Sequence, residues 1–376
     1  MAITVALLRE TVPGERRVAL DPGAVDKLVK KGVTVVAEHD AGAAARYADA
    51  AYTDVGFVDD ANEALAAADI LVKVQPPTLE QIDALPEGAV VACFTQHDRH
   101  PEIVARLRDR RITALSFELV PRITRAQTMD ALSSQGTIAG YKGAVMAAEL
   151  SGRLFPMLTT AAGTIRPAQV VVIGAGVAGL QAIATARRLG AQVEAYDIRA
   201  AAREQVESLG ARLIDTGVDA TGEGGYAREL TDEEKQQQAQ VLADRLARAD
   251  AVIATAGIPG RPAPKVVSRA MVEGMKNGAV IVDLRAENGG NCELTQPGET
   301  IEHQGVLIAG PDNVPSLAAI HASEMYARNV LALIGPLLTE EGVHVDLDDE
   351  VYDACVITHA GSIRHEETRR QVEGEG

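Results

Sequence analysis

The sequence predicts an α/β protein with mainly parallel β-sheets. Short β-branched segments alternate with helical patterns along most of the 376 residues, and this alternation is typical of strands joined by crossover helices. Hydrophobic residues make up 47% of the chain but aromatic residues only 3%. The interiors are therefore built from Val, Leu, Ile and Ala, as in sheets that helices cover on both faces. The chain is too long for one ordinary core, so we expect two domains.

The N-terminal segment predicts a small parallel domain. Asp21 and Pro22 predict the N-cap and first turn of a helix. Predicted strands and helices alternate along this segment, with strands at 4–8, 33–37, 70–74, 90–94 and 112–117 and further helices at 60–68 and 101–108. No glycine fingerprint follows any of these strands. We therefore do not expect this domain to hold a dinucleotide in the usual way.

A glycine-rich motif follows the strand predicted at Gln169–Ile173. Gly174, Gly176 and Gly179 form a G-x-G-x-x-G pattern, and helical periodicity begins within it. We expect Gly174 to make a tight turn, Gly176 to let the backbone approach a pyrophosphate, and Gly179 to let helix and strand pack closely. The N–H groups that open the helix would face the phosphates. This pattern predicts a Rossmann-like domain.

The choice of dinucleotide depends on the end of the next predicted strand, Gln192–Tyr196. Asp197 follows it, at the place where a carboxylate accepts hydrogen bonds from the ribose hydroxyls of adenosine. A 2′-phosphate there would meet a like charge. Arg199 favours NADP(H) instead, because an arginine just past the strand is able to hold a 2′-phosphate. We interpret the pair as a site for NAD(H) rather than NADP(H).

The remaining segments extend the same pattern. A helix over 139–154 leads into the nucleotide domain, and helices at 200–209 and 232–248 alternate with strands at 212–214, 251–255, 279–283 and 306–309. Residues 215–231 predict a long loop, either a lid or a disordered linker, and a helix at 318–334 leads back to the first domain. A strand at 351–357 completes that domain. The predicted domains are 1–132 with 326–376, which makes the first domain discontinuous, and 133–325, with a cleft between them.

The polar segment from Pro121 to Gly140 interrupts the alternation. It contains Arg122, Gln127, Asp130 and Ser133, and it lies at the predicted domain junction, where binding sites are common. Oxidation of an alcohol or amine moves a proton as well as a hydride and requires an acid–base group. Exchange of hydride between two nicotinamides requires only groups that hold the rings in place. The segment suits the second reaction; the alternative is a polar hinge without chemistry.

Composition and missing motifs exclude other classes. Acidic residues number 53 against 36 basic ones, and the net charge of −17 argues against nucleic acid and against docking on anionic lipid. The three cysteines are far apart and predict reduced thiols in a cytosolic protein. We find no zinc pattern, no G-x-S-x-G, no P-loop, no signal peptide and no apolar stretch long enough to span a bilayer. We therefore expect no metal.

The chain resembles the alanine dehydrogenase/transhydrogenase family. Within this family it is most similar to the NAD(H)-binding domain I, the peripheral alpha subunit, of proton-translocating NAD(P)+ transhydrogenase, and more distantly to alanine dehydrogenase. The resemblance covers nearly the whole chain. It is densest in RRVAL, PRITRAQTMDALSSQ, AGYKG, FPMLTTAAGTIRPAQVVVIGAGVAGLQAIATARRLGA, AREQVESLGA, GGYA, IPGRPAP and ENGGNCELT.

The resemblance implies roles for individual residues. Arg122, Asp130 and Ser133 would orient the carboxamide of NADH, and Gln127 would reach towards the NADP-bearing domain of a partner subunit. Tyr226 would close over the bound nucleotide on a mobile loop. The residues implied or expected to bind the cofactor are Gly174, Gly176, Val177, Ala178, Gly179, Asp197, Ile198, Arg199, Gly225, Tyr226, Gly257, Arg125 and Tyr141.

The resemblance also implies partners. Hydride would pass, with Re/Si specificity, from NADH to NADP+ bound on another subunit, coupled to proton translocation through membrane-spanning subunits. The chain shows one glycine fingerprint and no bilayer span, so we expect NADP(H) and the membrane on other polypeptides. A homodimer, cytoplasmic and peripheral on the inner membrane through its partners, would follow.

Alanine dehydrogenase is the alternative function. That family holds pyruvate with an Arg and a Lys, and Arg17 and Lys73 occupy the matching places. At the position of its catalytic His, however, this chain has Gln96, and His97 is one residue away. The family's active-site Asp aligns with Glu287. These two departures affect the proton-handling positions and weigh against amino-acid chemistry. A non-catalytic NAD-sensing protein on the same scaffold is a third possibility, against which the intact polar set of the 121–140 segment argues.

Overall fold

The computed structural model describes residues 3–199, 201–218, 231–257 and 262–374. The chain divides into two compact units, one formed by Met1–Gln135 with Ser316–Gly376 and the other by Gly136–Pro315. The sequence places the corresponding boundaries at 132/133 and 325/326. Both units are α/β structures, and the first is discontinuous in sequence.

The first unit begins with alternating strands and helices. They are β1 (Thr4–Leu7), α1 (Pro22–Val29), β2 (Thr34–Glu38), β3 (Val55–Val58), α2 (Ala61–Ala66), β4 (Ile70–Val72), α3 (Leu79–Ala84), β5 (Val90–Cys93), α4 (Pro101–Asp109) and β6 (Thr113–Ser116). The predicted cap of α1 is confirmed, since the Asp21 side chain accepts the N–H of Ala24 and Pro22 opens the helix. A 3₁₀ helix (Thr124–Met129) then leads into α5 (Ala131–Leu150), which contains the boundary between the units.

The second unit contains the glycine motif. Its elements after α5 are β7 (Leu158–Thr160), β8 (Gly163–Ile165), β9 (Gln169–Ile173), α6 (Val177–Arg188), β10 (Gln192–Tyr196), α7 (Ala202–Ser208), β11 (Arg212–Leu213), α8 (Asp232–Leu246), β12 (Ala251–Ala254), α9 (Arg269–Glu273), β13 (Val280–Asp283), β14 (Thr300–His303) and β15 (Val306–Ala309). A capping box at Thr231 and Glu234 starts α8, which lies within the helix predicted at 232–248.

The chain then returns to the first unit. The returning elements are α10 (Ala319–Ile334), β16 (Leu338–Thr339), β17 (Gly342–Val343), α11 (Glu350–Cys355), β18 (Val356–His359), β19 (Ser362–Ile363) and α12 (Glu366–Glu373). Strands β18 and β19 join the first sheet, so the C-terminal segment completes this unit.

The two large sheets have the same topology. In the first, the strand order is β19-β18-β6-β5-β4-β1-β2-β3, and β1 to β6 run parallel while β18 and β19 are antiparallel additions. In the second, the order is β11-β10-β9-β12-β13-β15-β14, with only β14 antiparallel. Both reproduce the doubly wound order 3-2-1-4-5-6, in which ligands bind where the order reverses, beyond the carboxyl ends of the strands. The central strands β4, β5, β6, β12 and β13 are buried on both faces, as their Val- and Ala-rich sequences predict, whereas edge strands such as β3 and β14 are partly exposed.

Two predictions of local structure are wrong. The segment predicted as a strand at 351–357 is mostly helix α11, which the Asp349 side chain caps by accepting the N–H of Val351; the strand starts only at Val356. Helix α5 begins at Ala131 rather than at 139, because Asp130 accepts the N–H of Ser133 in the first turn. The polar residues around Asp130 have the composition of a loop, so the sequence did not predict the N-terminus of α5 there.

Candidate nucleotide-binding site

The glycine turn lies where the strand order of the second sheet reverses, between β9 and β12. Gly174 has a φ of +89°, and a Cβ there would lie 2.8 Å from Thr255 Oγ1. A Cβ on Gly179 would lie 1.8 Å from the carbonyl oxygen of Gly174. The fold itself therefore requires both glycines, one for its backbone conformation and one for close packing of helix on turn.

At position 176, neither the backbone conformation nor the packing requires glycine. Its φ of −81° suits any residue, and no atom of the described residues lies within 4 Å of the position its Cβ would occupy. The missing side chain leaves open space beside the N-terminus of α6 rather than relieving a clash. The first N–H groups of a helix lack intrahelical partners and carry a partial positive charge. Open space at such a terminus fits a pyrophosphate group.

Two residues that the sequence alone did not single out hold this turn in place. The Thr255 hydroxyl donates to the carbonyl oxygens of Ile173 and Gly174, at 2.9 and 3.0 Å. On the other side, a Cβ on Gly140 of α5 would lie 2.1 Å from the carbonyl oxygen of Ala178. Helix α5 therefore packs directly on the first turn of α6, and glycine is needed for that approach. The close packing at Gly140 and the hydrogen bonds of Thr255 leave no distinctive sequence motif.

Asp197 follows β10 and is mostly buried, at 7% exposure of its side chain. Its carboxylate accepts the N–H of Ala175 inside the glycine turn at 2.8 Å and forms a bidentate pair with Arg199, with both bonds at 2.9 Å. Burial opposes ionisation, but hydrogen bonds from the Arg199 guanidinium and from the two backbone N–H groups lower the pKa of Asp197. The carboxylate is thus anionic, and Arg199 is its present counterion.

A buried polar cluster supports the neighbouring loop after β12. Asn291 has no exposed surface, and its amide donates to the carbonyl oxygens of Ala256 and Pro264 at 2.8 and 2.9 Å. Asp283, at the end of β13, accepts from the N–H of Cys292 and the hydroxyl of Thr295. The ENGGNCELT segment therefore anchors the strand-end loop that lies against Gly174. Sequence reasoning marked this segment only through its resemblance to the family.

The other residues expected to bind cofactor are placed as follows. A Cβ on Gly257 would lie 2.6 Å from Arg285 Nε. Val177, Ile198 and Tyr141 are exposed, the last on α5 directly after Gly140. Gly225 and Tyr226 lie outside the described residues, as does most of the loop predicted at 215–231.

The polar segment of the first unit forms a corner between a 3₁₀ helix and α5. Asp130 occupies the corner, and its carboxylate accepts both the N–H of Ser133 at 2.8 Å and the Ser133 hydroxyl at 2.5 Å. Arg122 and Gln127 are exposed, and within the described parts of the chain neither makes a side-chain hydrogen bond or ion pair. The segment thus exposes one cation and one amide to solvent and also contains a fixed carboxylate–hydroxyl pair.

Arg125, expected to bind cofactor, is engaged elsewhere in this structure. Its guanidinium forms a bidentate pair with Asp349, at 2.6 and 2.7 Å, and also lies 3.5 Å from Glu350. The hydrogen bonds from Arg125 lower the pKa of Asp349 to about 2. This ion pair ties the 3₁₀ helix to the start of α11. A role for Arg125 in cofactor binding stays a prediction.

The switch point of the first sheet, between β1 and β4, is filled by buried charges. Lys73 Nζ lies 3.1 Å from Glu10 Oε2, and both side chains are almost fully buried. Arg17 forms a bidentate pair with Glu15, at 2.8 and 2.6 Å, which is also buried. Burial raises the pKa of Glu10 despite Lys73, whereas the hydrogen bonds from Arg17 outweigh burial and lower the pKa of Glu15 to about 2.

The residue that reaches this cluster from the next strand is Gln96, not His97. Gln96 Nε2 donates to Gln75 Oε1 at 2.6 Å, and Gln75 Nε2 donates to Glu15 Oε2 at 2.7 Å. His97 instead lies 3.3 Å from the Thr95 hydroxyl and packs against His365, with ring centroids 5.1 Å apart. Burial lowers the pKa of His97. The one-residue shift that would bring an imidazole into the cluster does not occur.

Metal sites and membrane spans are absent from the described residues. These residues contain no group of three or more His, Cys, Asp or Glu side chains arranged to hold a metal ion. None of the described helices combines the length and the apolar character needed to cross a bilayer.

Comparisons with known proteins agree with this architecture. Residues 6–139 match the family model "Alanine dehydrogenase/PNT, N-terminal domain", and residues 143–366 match its C-terminal counterpart. The first part of NAD(P) transhydrogenase subunit alpha from Rhodospirillum rubrum is 44% identical, over 96% of this chain and 97% of that protein. The transhydrogenase structure from Sinorhizobium meliloti is 41% identical, with a TM-score of 0.87 over 96% of this chain and 99% of that one. An L-alanine dehydrogenase structure is 25% identical, with a TM-score of 0.83 over 99% of each chain.

Proposed function

The chain belongs to the alanine dehydrogenase/PNT family, and from this premise we propose that it is the NAD(H)-binding component of a proton-translocating NAD(P)+ transhydrogenase. It would bind NADH and present it for Re/Si-specific hydride transfer to NADP+ held on a partner subunit. Similarity to two proteins named transhydrogenase, at 44% and 41% identity over nearly the whole chain, favours this activity within the family.

The nucleotide would be held by the second unit. The open space at Gly176 and the first turn of α6 fit the pyrophosphate, and the Asp197 carboxylate fits the adenosine ribose hydroxyls. Asp197 is anionic in the structure, so it would repel a 2′-phosphate and favour NAD(H). Arg199 must share or release the carboxylate when the ribose arrives.

The polar corner of the first unit would position the reacting ring. When bound, NADH supplies the hydride from its dihydronicotinamide ring. The Asp130–Ser133 pair offers fixed acceptor oxygens to a carboxamide, and Arg122 offers donors beside it. Gln127, exposed and without a side-chain partner among the described residues, would remain available to the partner subunit. Positioning of this kind accelerates a hydride transfer without an acid–base catalyst.

The observation that carries the proposal is the position of Gln96. An amide side chain does not titrate near neutral pH and cannot serve as an acid–base catalyst. The cluster around Lys73 therefore has Gln96 where amino-acid oxidation requires an imidazole. Hydride exchange between two nicotinamides has no such requirement.

The test combines the purified chain with a soluble NADP-binding domain of a transhydrogenase loaded with NADP+. We expect NADPH to form when NADH is added, and none to form when either protein is left out. Failure of hydride exchange, in a sample that binds NADH, would contradict the proposal. The homodimer and the attachment to membrane-spanning partners, which the family resemblance implies, belong to the same proposal.

Alanine dehydrogenase is the second candidate. The observation in its favour is that Arg17 and Lys73, the two cations that family uses to hold pyruvate, converge at the first switch point. Each is already paired with a buried carboxylate, however, so an incoming carboxylate must compete with an internal anion. NADH formation from L-alanine and NAD+ at a robust rate would establish this candidate instead.

A further inference from the structure

Helix α10 carries three buried polar side chains along one side. Ser323, Tyr326 and Asn329 recur at three-residue spacing and are nearly inaccessible to solvent. The Ser323 hydroxyl accepts the N–H of Val18, and the Tyr326 hydroxyl donates to the carbonyl oxygen of Lys73 at 2.7 Å. Each of these two side chains therefore fixes a backbone segment near the first switch point.

Asn329 fixes the polar corner, and both the nitrogen and the oxygen of its side-chain amide take part. Its Nδ2 donates to the carbonyl oxygen of Thr128 at 2.8 Å, and its Oδ1 accepts the Ser134 hydroxyl at 2.7 Å. Thr128 precedes the corner at Asp130 and Ser134 follows it. One buried side chain thus joins the last turn of the 3₁₀ helix to the first turn of α5.

The residues on either side of this clamp are those that the proposed function uses. Gln127 is the neighbour of Thr128, and Ser133 is the neighbour of Ser134. Apolar contacts surround the clamp, since Ala126 and Met129 pack in the same core as Ala327 and Val330 of α10. Further along α5, Gln135 Nε2 donates to the carbonyl oxygen of Ala322 at 3.1 Å, but this bond does not reach the corner. Apolar packing holds the corner against the helix but does not fix its rotation or register. The two directional hydrogen bonds of Asn329 supply that constraint.

We propose that Asn329 is a positioning residue for hydride transfer: it fixes the backbone around Asp130 so that Gln127, Asp130 and Ser133 keep their reactive arrangement. This inference rests on the proposed function and extends it to a residue outside the polar segment. Asn329 acts through the loop and contacts neither nucleotide.

The test uses Asn329→Leu, which has a similar volume and removes both hydrogen bonds. At saturating NADH, hydride exchange with the NADP+-loaded partner domain should slow by about 10- to 100-fold, since small misplacements of reacting groups cost that much. The dissociation constant of NADH, followed by its fluorescence, should change by less than about twofold, because this variant leaves the pyrophosphate and ribose contacts intact. Backbone amides in residues 124–134 should exchange with deuterium faster than in the wild type.

Ser323→Ala is the matched control. It lies on the same side of α10, is buried and loses one hydrogen bond to backbone, but that bond does not reach the polar corner. Its hydride-exchange rate and its amide exchange in 124–134 should equal those of the wild type. Equal losses in both variants, or a wild-type rate in Asn329→Leu, would overturn the proposal. If Asn329→Leu does not fold, Ser134→Ala removes the bond to Oδ1 and keeps the bond from Nδ2 to Thr128. A wild-type rate and wild-type amide exchange in that variant would overturn the proposal as well.

The amide-exchange readout separates this proposal from the proposed function. If the wild-type chain transfers no hydride, the proposed function fails by itself. Faster amide exchange in Asn329→Leu but not in Ser323→Ala would still support the positioning role, and unchanged exchange in residues 124–134 would overturn it.

Discussion

The two switch points of this protein have the same topology, but one is open and the other is filled by side chains. Each lies between the first and fourth strands of a sheet with the order 3-2-1-4-5-6. In the second unit this position holds a glycine turn with open space at Gly176 and the free N-terminus of α6. In the first unit it holds the Glu10–Lys73 and Glu15–Arg17 ion pairs, all buried. Strand order creates a place for a ligand, and side chains decide whether the protein fills that place itself.

The filled switch point serves the structure of the first unit. Glu10 also accepts the N–H of Val74 at 2.6 Å, so its carboxylate fixes the turn after β4. Glu15 accepts from Arg17, Gln75 and Ser316, which come from three separate segments of the chain. The buried carboxylates thus connect separate loops of the first unit through hydrogen bonds.

The largest predicted effect is a loss of stability when the ion pair in the filled switch point is broken. Lys73→Met should lower the free energy of unfolding by about 3–5 kcal/mol, because it leaves the Glu10 carboxylate buried without its partner. Chemical denaturation at neutral pH measures this loss. Because the pKa of Glu10 is already raised by burial, the carboxyl of the variant should take up a proton, and its stability should increase as the pH falls from neutral towards 5. The wild type should gain less, because Lys73 lowers the pKa of Glu10 there and so opposes the effect of burial.

The double variant Glu10→Gln/Lys73→Met is its control. The glutamine keeps an acceptor for Val74 and removes the buried charge, so most of the lost stability should return. A double variant as unstable as Lys73→Met would show that the ion pair is not what the single change disrupts.

The next prediction contrasts two glycines of the open switch point. Gly179→Ala should destabilise the protein by about 1–3 kcal/mol, since its Cβ collides with the carbonyl oxygen of Gly174. Gly176→Ala should change stability by less than about 0.5 kcal/mol, because its Cβ meets nothing. The same methyl group would occupy the space assigned to pyrophosphate, so NADH binding should weaken about tenfold or more.

Thermal unfolding and NADH titration of both variants give the comparison. Wild-type NADH affinity in Gly176→Ala would show that the open space is not used by the nucleotide.

Asp197 tests the specificity of the same switch point. Asp197→Ala should weaken NADH binding by about 1–3 kcal/mol, the cost of losing buried hydrogen bonds to the ribose. Arg199→Ala is the paired variant, because it removes the present counterion and keeps the carboxylate. NADH titration should show little loss in Arg199→Ala. Equal losses in both would assign the effect to the ion pair rather than to ribose recognition.

The smallest prediction concerns the two histidines beside the filled switch point. Burial lowers the pKa of His97, and burial together with the facing His97 lowers that of His365; Asp98 and Glu367 act in the opposite direction. A lowered histidine pKa contributes stability that is present above the ordinary value of 6.5 and is lost as the pH falls through that value.

The melting temperature should therefore fall between about pH 7.5 and 5.5, and His365→Asn should reduce that fall. Asparagine keeps an acceptor at the N-cap of α12, so it retains the helix while removing the charge. An identical pH profile in both proteins would contradict this assignment.

The fold was largely predictable because its signals are local. Val-rich strands, the cap at Asp21 and the glycine turn can each be recognised from a few consecutive residues. Two errors arose where polar residues act as caps, at Asp130 and Asp349. A cap and a solvated loop have the same composition, so the sequence did not distinguish them.

The candidate site was predictable only in part. The motif residues lie together around one turn, but their supports come from elsewhere in the chain. Thr255, Asn291 and Gly140 hold the glycine turn and its neighbouring loop, and Asn329 holds the polar corner. Their importance arises from contacts over long sequence separations, which no local pattern records.

The most direct test of the account offers two hydride acceptors in one sample. NADH deuterated at the transferable position of its dihydronicotinamide is mixed with the chain, the NADP+-loaded partner domain, pyruvate and ammonium, and the deuterium is traced by mass spectrometry. We expect deuterium in NADPH and none in alanine. Deuterium at C2 of alanine, with none in NADPH, would contradict it.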